Sequence, residues 1–499
     1  MTERRRPLAI PPSEFRRIGH ALVDAIAEHL ESLPTRPVTR GDLPDRVRDL
    51  LDGDAPLPAE GRDPAMLVQS AARLLFEHSL FNGHPRFFGY ITAPPAHIGI
   101  LGDFLAAAVN PNVGGYTLAP VATEIEAQTI RWIAELIGYP RDCGGILVSG
   151  GNMANFIGFF AARAAKAGEE VRSRGVGRDG RTPRVYCSAE THTWIQKAAD
   201  LSGLGTDAIR WVDVDREQRM DAAALQRTLD ADAARGDRPF MVVGTAGSVS
   251  TGAVDPLRAI ARVCRERGLW FHVDGAYGGF AAAVPGAAPE IEAALPLADS
   301  VAVDPHKWLY SPLEAGCALV RHPEHLRAAF AYHPPYYHFG IEATNYVDFG
   351  PQNSRGFRAL KVWLALAHAG RAGYTQSIGD DIRLAARLHE RVSRHPQLEP
   401  CTCALSITTF RFIPSDLRKA AGGAATESYL NELNQAILDR LQRDGDAFVS
   451  NAVVGGRYVL RACIVNFNTQ AADIDALPDI VVRLGETLDA QLRARPAGA

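Results

Sequence analysis

Apolar positions change their period along this chain. Near the amino terminus Phe15, Ile18, Leu22, Ile26 and Leu30 recur at spacings of three and four, which predicts an amphipathic helix with Ser13 as its cap and Pro34 and Pro37 as its stop. The same period predicts a second helix over about 64–81. From about Ile146 short apolar runs take over, at 146–148, 185–187, 209–212, 240–243, 269–273, 301–303 and 318–320. Helical stretches at 155–167, 194–201, 222–235 and 256–267 lie between them. Strand and helix in alternation predict βαβ units and a mostly parallel sheet, an α/β fold. A further amphipathic helix is expected from Gly373, and the α/β stretch beyond it reads as a smaller second domain. Gly422-Gly423 reads as a loop. The expected division is a helical segment over 1–100, a large domain over 101–375 and a small α/β domain over 376–499.

Composition narrows the classes of function. At 499 residues, with 46% hydrophobic and 22% charged residues, the chain can bury a large core. A net charge of −4 gives no overall basic field, so nucleic acid is not an expected partner. Arg4, Arg5 and Arg6 are followed by Pro7, Pro11 and Pro12 rather than an apolar stretch, which argues against a secretory leader. No apolar run approaches the roughly 20 residues that span a bilayer, and the densest, 98–109, is interrupted by Asp103. Seven scattered cysteines suit free thiols in a reducing cytoplasm. Cys401 and Cys403 supply too few ligands for zinc, and no metal is expected.

Ligands of open parallel sheets bind beyond the carboxyl ends of the strands. Three of those ends carry chemistry. After 146–148 comes Ser149-Gly150-Gly151-Asn152, leading straight into a helix; after 269–273 comes Asp274; after 301–303 comes Asp304-Pro305-His306-Lys307-Trp308. A helix N-terminus can hold a phosphate, a carboxylate can pair with a pyridine nitrogen, and an amine can take an aldehyde. Pyridoxal 5′-phosphate (PLP) requires these three groups. Lys307 lies between His306 and Trp308 after an apolar strand, and partial desolvation of such an amine favours Schiff-base chemistry.

Asp304-Pro305-His306-Lys307-Trp308 and His272-Val273-Asp274-Gly275-Ala276-Tyr277 resemble the signature segments of the group II PLP-dependent amino-acid decarboxylases, over about 84–374 and more weakly to the end. The resemblance implies the PLP-dependent transferase-like fold type I and a homodimer with active sites at the subunit interface, the N-terminal helices wrapping the partner. It implies that Lys307 carries PLP as a Schiff base, that Asp274 pairs with the pyridine nitrogen and that His192 stacks on the ring. Gly151 and Asn152, with Ser248 or Val249 across the site, match the phosphate-binding positions, and His306 lies beside the lysine. Two positions depart from the family pattern: Asn152-Met153 stands where Ser-Glu is frequent, and Val249 where a threonine can occur. The segment 330–337 resembles the start of the mobile catalytic loop. Tyr336 falls at the loop tyrosine that donates a proton to Cα, and Tyr337 is the adjacent alternative.

The implied reaction is α-decarboxylation of an L-amino acid to the amine and carbon dioxide, with tyrosine, DOPA or tryptophan as expected substrate. Glutamate or 2,4-diaminobutyrate decarboxylation, and oxidative conversion to an aromatic aldehyde, are the alternatives. Tyr90, Thr92, Tyr116 and Ser354 are the expected substrate-pocket residues, and Gly114, where relatives carry an aromatic side chain, predicts a wider cavity. Gly175, Gly177 and Gly180 satisfy the dinucleotide fingerprint G-x-G-x-x-G, but no strand precedes them and arginines surround them, so they read as a polar loop.

Overall fold

A computed structural model of the chain describes residues 6–168, 170–333 and 343–494. The first helices are α1 (Pro12–Ser32), α2 (Pro44–Leu51), α3 (Pro64–His78), α4 (His97–Val109) and α5 (Pro120–Leu136). Ser13 does not cap α1. The helix starts at Pro12 with Pro11 at the cap position and no capping side chain, because proline's fixed φ suits the first helical residue. A 3-10 turn over Leu33–Thr35 follows, so Pro34 lies inside the stop and Pro37 just beyond it. The second expected helix is α3, closed at its start by Asp63, whose carboxylate accepts from Met66 N at 2.8 Å. Helix α2 has no counterpart among the sequence expectations.

All seven apolar runs form strands of one sheet: β2 (Gly144–Val148), β3 (Pro183–Ser188), β4 (Ile209–Val212), β5 (Arg238–Thr245), β6 (Trp270–Asp274), β7 (Ser300–Val303) and β8 (Gly316–Val320). The order is β2-β8-β7-β6-β5-β3-β4, and β8 alone runs against the others. It is reversed because the chain turns back directly after β7, through the segment that holds Lys307. Every residue of β2, β6, β7 and β8 is buried, as expected of strands covered by helices on both faces.

Strand β2 is an edge, and its outward backbone groups are satisfied by a buried ion pair. Glu126 of α5 accepts from Leu147 N at 2.9 Å, while Arg355 donates to Leu147 O at 2.7 Å and to Glu126 at 2.5 Å. Both charged side chains are at most 1% exposed. The strand end leading to Ser149-Gly150-Gly151 is thereby pinned from two sides. Helix α6 (Gly151–Lys166) follows that turn immediately.

A second sheet has the order β1-β11-β12-β10-β9, with β1 (Phe87–Phe88), β9 (Leu398–Ala404), β10 (Ile407–Phe412), β11 (Phe448–Val454) and β12 (Arg457–Cys463). The amino-terminal segment thus contributes a strand as well as helices, because β1 pairs in parallel with β11. Phe88 joins Leu388, Phe410 and Leu460 in the smaller hydrophobic core. The helix expected from Gly373 belongs to a longer one, Ala359–Arg394, interrupted at Gly370, whose φ of 62° only glycine adopts readily. Tyr374 and Ile378 of this helix pack in the large core, and Ala385 and Leu388 in the small one, so it crosses the boundary expected at 375.

Candidate active site

The carboxyl ends of β2, β3, β5, β6 and β7 converge on a cleft of about 290 Å³ lined by Gly151, Asn152, His192, Asp274, His306 and Lys307. Glu190, Thr245, Val249, Tyr277, Asp304 and Leu313 line it as well. Five segments that are distant in sequence therefore meet at one end of the sheet, as open α/β sheets arrange their ligands.

Lys307 sits in a single helical turn, Pro305–Trp308, with its amide donating to Asp304 O at 2.9 Å. That turn directs Lys307 Nζ onto Asp304 Oδ2 at 2.8 Å. Asp304 is 1% exposed, and its Oδ1 has no hydrogen-bond partner among the described residues. His306 Nδ1 donates to Ala315 O at 2.7 Å, and burial lowers its pKa from the ordinary imidazole value. Asp274 Oδ2 accepts from Trp194 Nε1 at 2.8 Å, and Oδ1 from Ala276 N at 3.2 Å. These two bonds fix the plane of the carboxylate at the end of β6.

His192 opens onto the cleft. Its Nδ1 accepts from Trp194 N at 3.2 Å, so the neutral ring carries its proton on Nε2. Desolvation by the surrounding protein keeps its pKa below the ordinary value, which favours that neutral ring.

Helix α6 begins with an open N-terminus. Gly150 takes the cap position with φ 110° and offers no side chain, and the first intrahelical bond is Ala154 N to Gly150 O. The amides of Gly151, Asn152 and Met153 therefore lack intrahelical acceptors, and with the helix dipole they form an anion cradle. A Cβ at Gly151 would come within 2.5 Å of Asp304 Oδ2, so only glycine leaves the cradle clear. The residues present fit PLP. There is an uncapped helix for the phosphate, a fixed carboxylate for the ring nitrogen and an amine for the aldehyde, with buried Thr245 Oγ1 and Glu190 Oε2 still unpartnered in the wall.

Other expected site residues lie elsewhere. Ser248 is buried, its hydroxyl shared with Thr251 Oγ1 at 3.0 Å, and Val249 lines the cleft in its place. Tyr90, Thr92, Tyr116 and Ser354 are not among the lining residues of the single chain. Tyr90 has its backbone carbonyl bound by Arg461 at 3.0 Å, and Tyr116 N donates to Asn345 Oδ1 at 2.9 Å. A Cβ at Gly114 would meet Asn353 O at 2.2 Å, so the backbone packs closely at that position. Tyr336 and Tyr337 fall outside the described residues.

The profile of the pyridoxal-dependent decarboxylase conserved domain matches residues 44–412. The chain belongs to this family. It is a PLP-dependent carboxy-lyase, similar at 31% identity to the aromatic-L-amino-acid decarboxylase of Bacillus atrophaeus, with 94% of each chain covered. Among solved structures it is similar to Oryza sativa TDC with PLP and tryptamine (TM-score 0.88, 27% identity, covering 97% of this chain and 100% of that one). Mouse CSAD matches equally well (TM-score 0.89, 26% identity, 95% and 99% covered).

Sequence reasoning passed over several residues of this decarboxylase site. Asp304 was legible as a near neighbour of Lys307 in a turn, since residues three apart share a helical face. Trp194, which holds Asp274 from another element, gave no local signal. No group of three or more His, Cys, Asp or Glu side chains among the described residues is placed to hold a metal, and no helix among them is long and apolar enough to cross a membrane.

Proposed function

We propose that this carboxy-lyase removes the α-carboxyl group of an aromatic L-amino acid and releases the amine. The observation that carries the reading is the convergence of Lys307 with Asp304, Asp274 with Trp194, His192 and the open end of α6 in one cleft. When bound, PLP supplies an aldehyde for the amino group and an electron sink for the bond to the departing carboxylate.

The chain's own residues do the rest. Lys307 is the amine that carries the cofactor, and Asp304 holds Nζ over the cleft while it is free. Asp274, fixed by Trp194, would present a negative oxygen to the ring nitrogen and favour its protonated form. His192 would cover the cofactor ring as a neutral imidazole, adding no charge beside it. The α6 amides would hold the phosphate. Tyr336 is the proposed proton donor to Cα, resting on the loop resemblance alone.

Support for an aromatic substrate comes from the relatives named aromatic-L-amino-acid decarboxylase and TDC. Specificity constants for DOPA, tyrosine, tryptophan, glutamate and 2,4-diaminobutyrate test it, with product analysis for amine and aldehyde. One of the first three should lead, with amine as product; a lead for either of the last two overturns the reading. In the same assay Tyr336→Phe should slow amine formation, and an unchanged rate moves the role to Tyr337.

We also propose that the enzyme is a homodimer in the cytoplasm. The seven cysteines are unpaired, which suits a reducing compartment. Helices α1 and α3 bury no residue, and α4 buries only Gly99 and Gly102, leaving Phe15, Leu75, Leu101, Phe104 and Leu105 exposed. So much apolar helix surface calls for a covering partner, and a second copy is the one we assign. Light scattering should return twice the 53.9 kDa chain mass; a monomer at micromolar concentration overturns the assignment.

A further inference from the structure

A buried chain of hydrogen bonds links the anion cradle to the strand that carries Asp274. Trp270 Nε1 donates to Ser300 Oγ at 2.8 Å, and Ser300 Oγ lies 2.8 Å from His272 Nδ1. His272 Nε2 lies 2.7 Å from Asn155 Oδ1, and Asn155 Nδ2 donates to Gly151 O at 2.8 Å. The carbonyl end fixes the direction. Gly151 O can only accept, so Asn155 turns its amide nitrogen to it and its oxygen to His272 Nε2, which donates; a neutral imidazole then accepts at Nδ1. Ser300 donates to His272 Nδ1, and His272 donates from Nε2 to Asn155. His272 is fully buried, and burial lowers its pKa to about 4, consistent with this single neutral tautomer.

The chain lies where α6 meets β6 and β7. A Cβ at Gly158, two turns into α6, would come within 2.7 Å of His272 Nδ1 and Cε1 and 3.0 Å of Ser300 Oγ. The helix therefore rests directly on the imidazole, with Asn155 fixing its rotation and Gly158 its height. Trp194 packs edge-on against the same imidazole, with ring centroids 5.7 Å apart, and its Nε1 holds Asp274. One histidine thus touches the supports of both the phosphate cradle and the carboxylate.

We propose that Asn155, His272 and Gly158 are positioning residues that set the separation between the open end of α6 and Asp274. This rests on the reading of the cleft given under Proposed function. PLP is rigid and is held at both ends, so its binding depends on that separation. A ligand lacking the phosphate is held at one end only and is indifferent to it. Misplacing a binding group by about 1 Å can cost on the order of 10²-fold.

The test is equilibrium titration of the apoenzyme with PLP and with pyridoxal, followed by tryptophan fluorescence. Wild type should bind PLP far more tightly than pyridoxal. Asn155→Ala, which strands a buried imidazole N–H, and Gly158→Ala, which lifts the helix, should each weaken PLP at least about tenfold. Pyridoxal affinity should change by less than about twofold, because the lysine and carboxylate contacts stay in place. Equal wild-type affinity for the two ligands would refute the phosphate cradle itself. With wild-type preference intact, variants that keep the wild-type ratio, or lose both ligands in parallel, overturn the positioning role. The variants perturb α6 by different means, so either one that folds decides the matter.

Discussion

Replacing Lys307 by alanine should abolish covalent attachment of PLP and lower kcat on the order of 10⁵-fold. That is the lower end of the effective molarity of a well-placed intramolecular group, which free amine in solution cannot match. The remaining lysines offer no substitute. Lys361 is buried but paired with Asp103 at 3.1 Å, and Lys166, Lys197 and Lys419 are exposed; none of the four lines the cleft. The variant also leaves Asp304 as a buried carboxylate without its cation, so the protein should lose stability as well as activity. Borohydride reduction of wild type, followed by peptide mapping, checks the assignment directly. A pyridoxyl group on any other lysine refutes it.

Asp274→Asn should leave the cofactor bound and cut kcat by about 10²–10³-fold, the effect of removing one preorganised electrostatic contact of roughly 3–4 kcal/mol. The amide oxygen can keep the bond from Trp194 Nε1, so the fold around β6 should survive. The neutral amide would no longer offer a negative oxygen to the ring nitrogen, which favours the unprotonated ring and weakens the electron sink. Cofactor content measured by absorbance should be near wild type while turnover falls. Near-normal turnover would mean that another acid serves the ring.

The two variants differ in how far the sequence alone supports them. Lys307 and Asp274 were legible because Asp274 directly follows an apolar run and Lys307 stands within four residues of one, and a strand end is a local feature. The seven runs became the seven strands of the large sheet for the same reason: strands mostly buried between helices must be mostly apolar, and that demand is written locally. Gly150-Gly151 was legible as a helix entrance because glycine there admits the φ of 110° and the close approach of Asp304. Local patterns misled where two devices compete for the same job. Ser13 is a good cap by type, yet Pro11-Pro12 starts the helix two residues earlier. The Gly373 expectation caught a real restart but placed it late, since the break is at Gly370.

By itself, then, the sequence determined the α/β class, the family, and the strand-end groups that line the cleft. Only the tertiary structure decided which distant side chains meet there. The strand order, the pairing of β1 with β11, and the clamp of Glu126 and Arg355 on β2 all join segments far apart in the chain. So do Trp194 on Asp274 and Asn155 on His272. Periodicity reports how a residue is oriented within its own element, through a repeat of two or 3.6 positions. A hydrogen bond between two elements depends on their spacing to a few tenths of an ångström, and packing of the whole core sets that spacing.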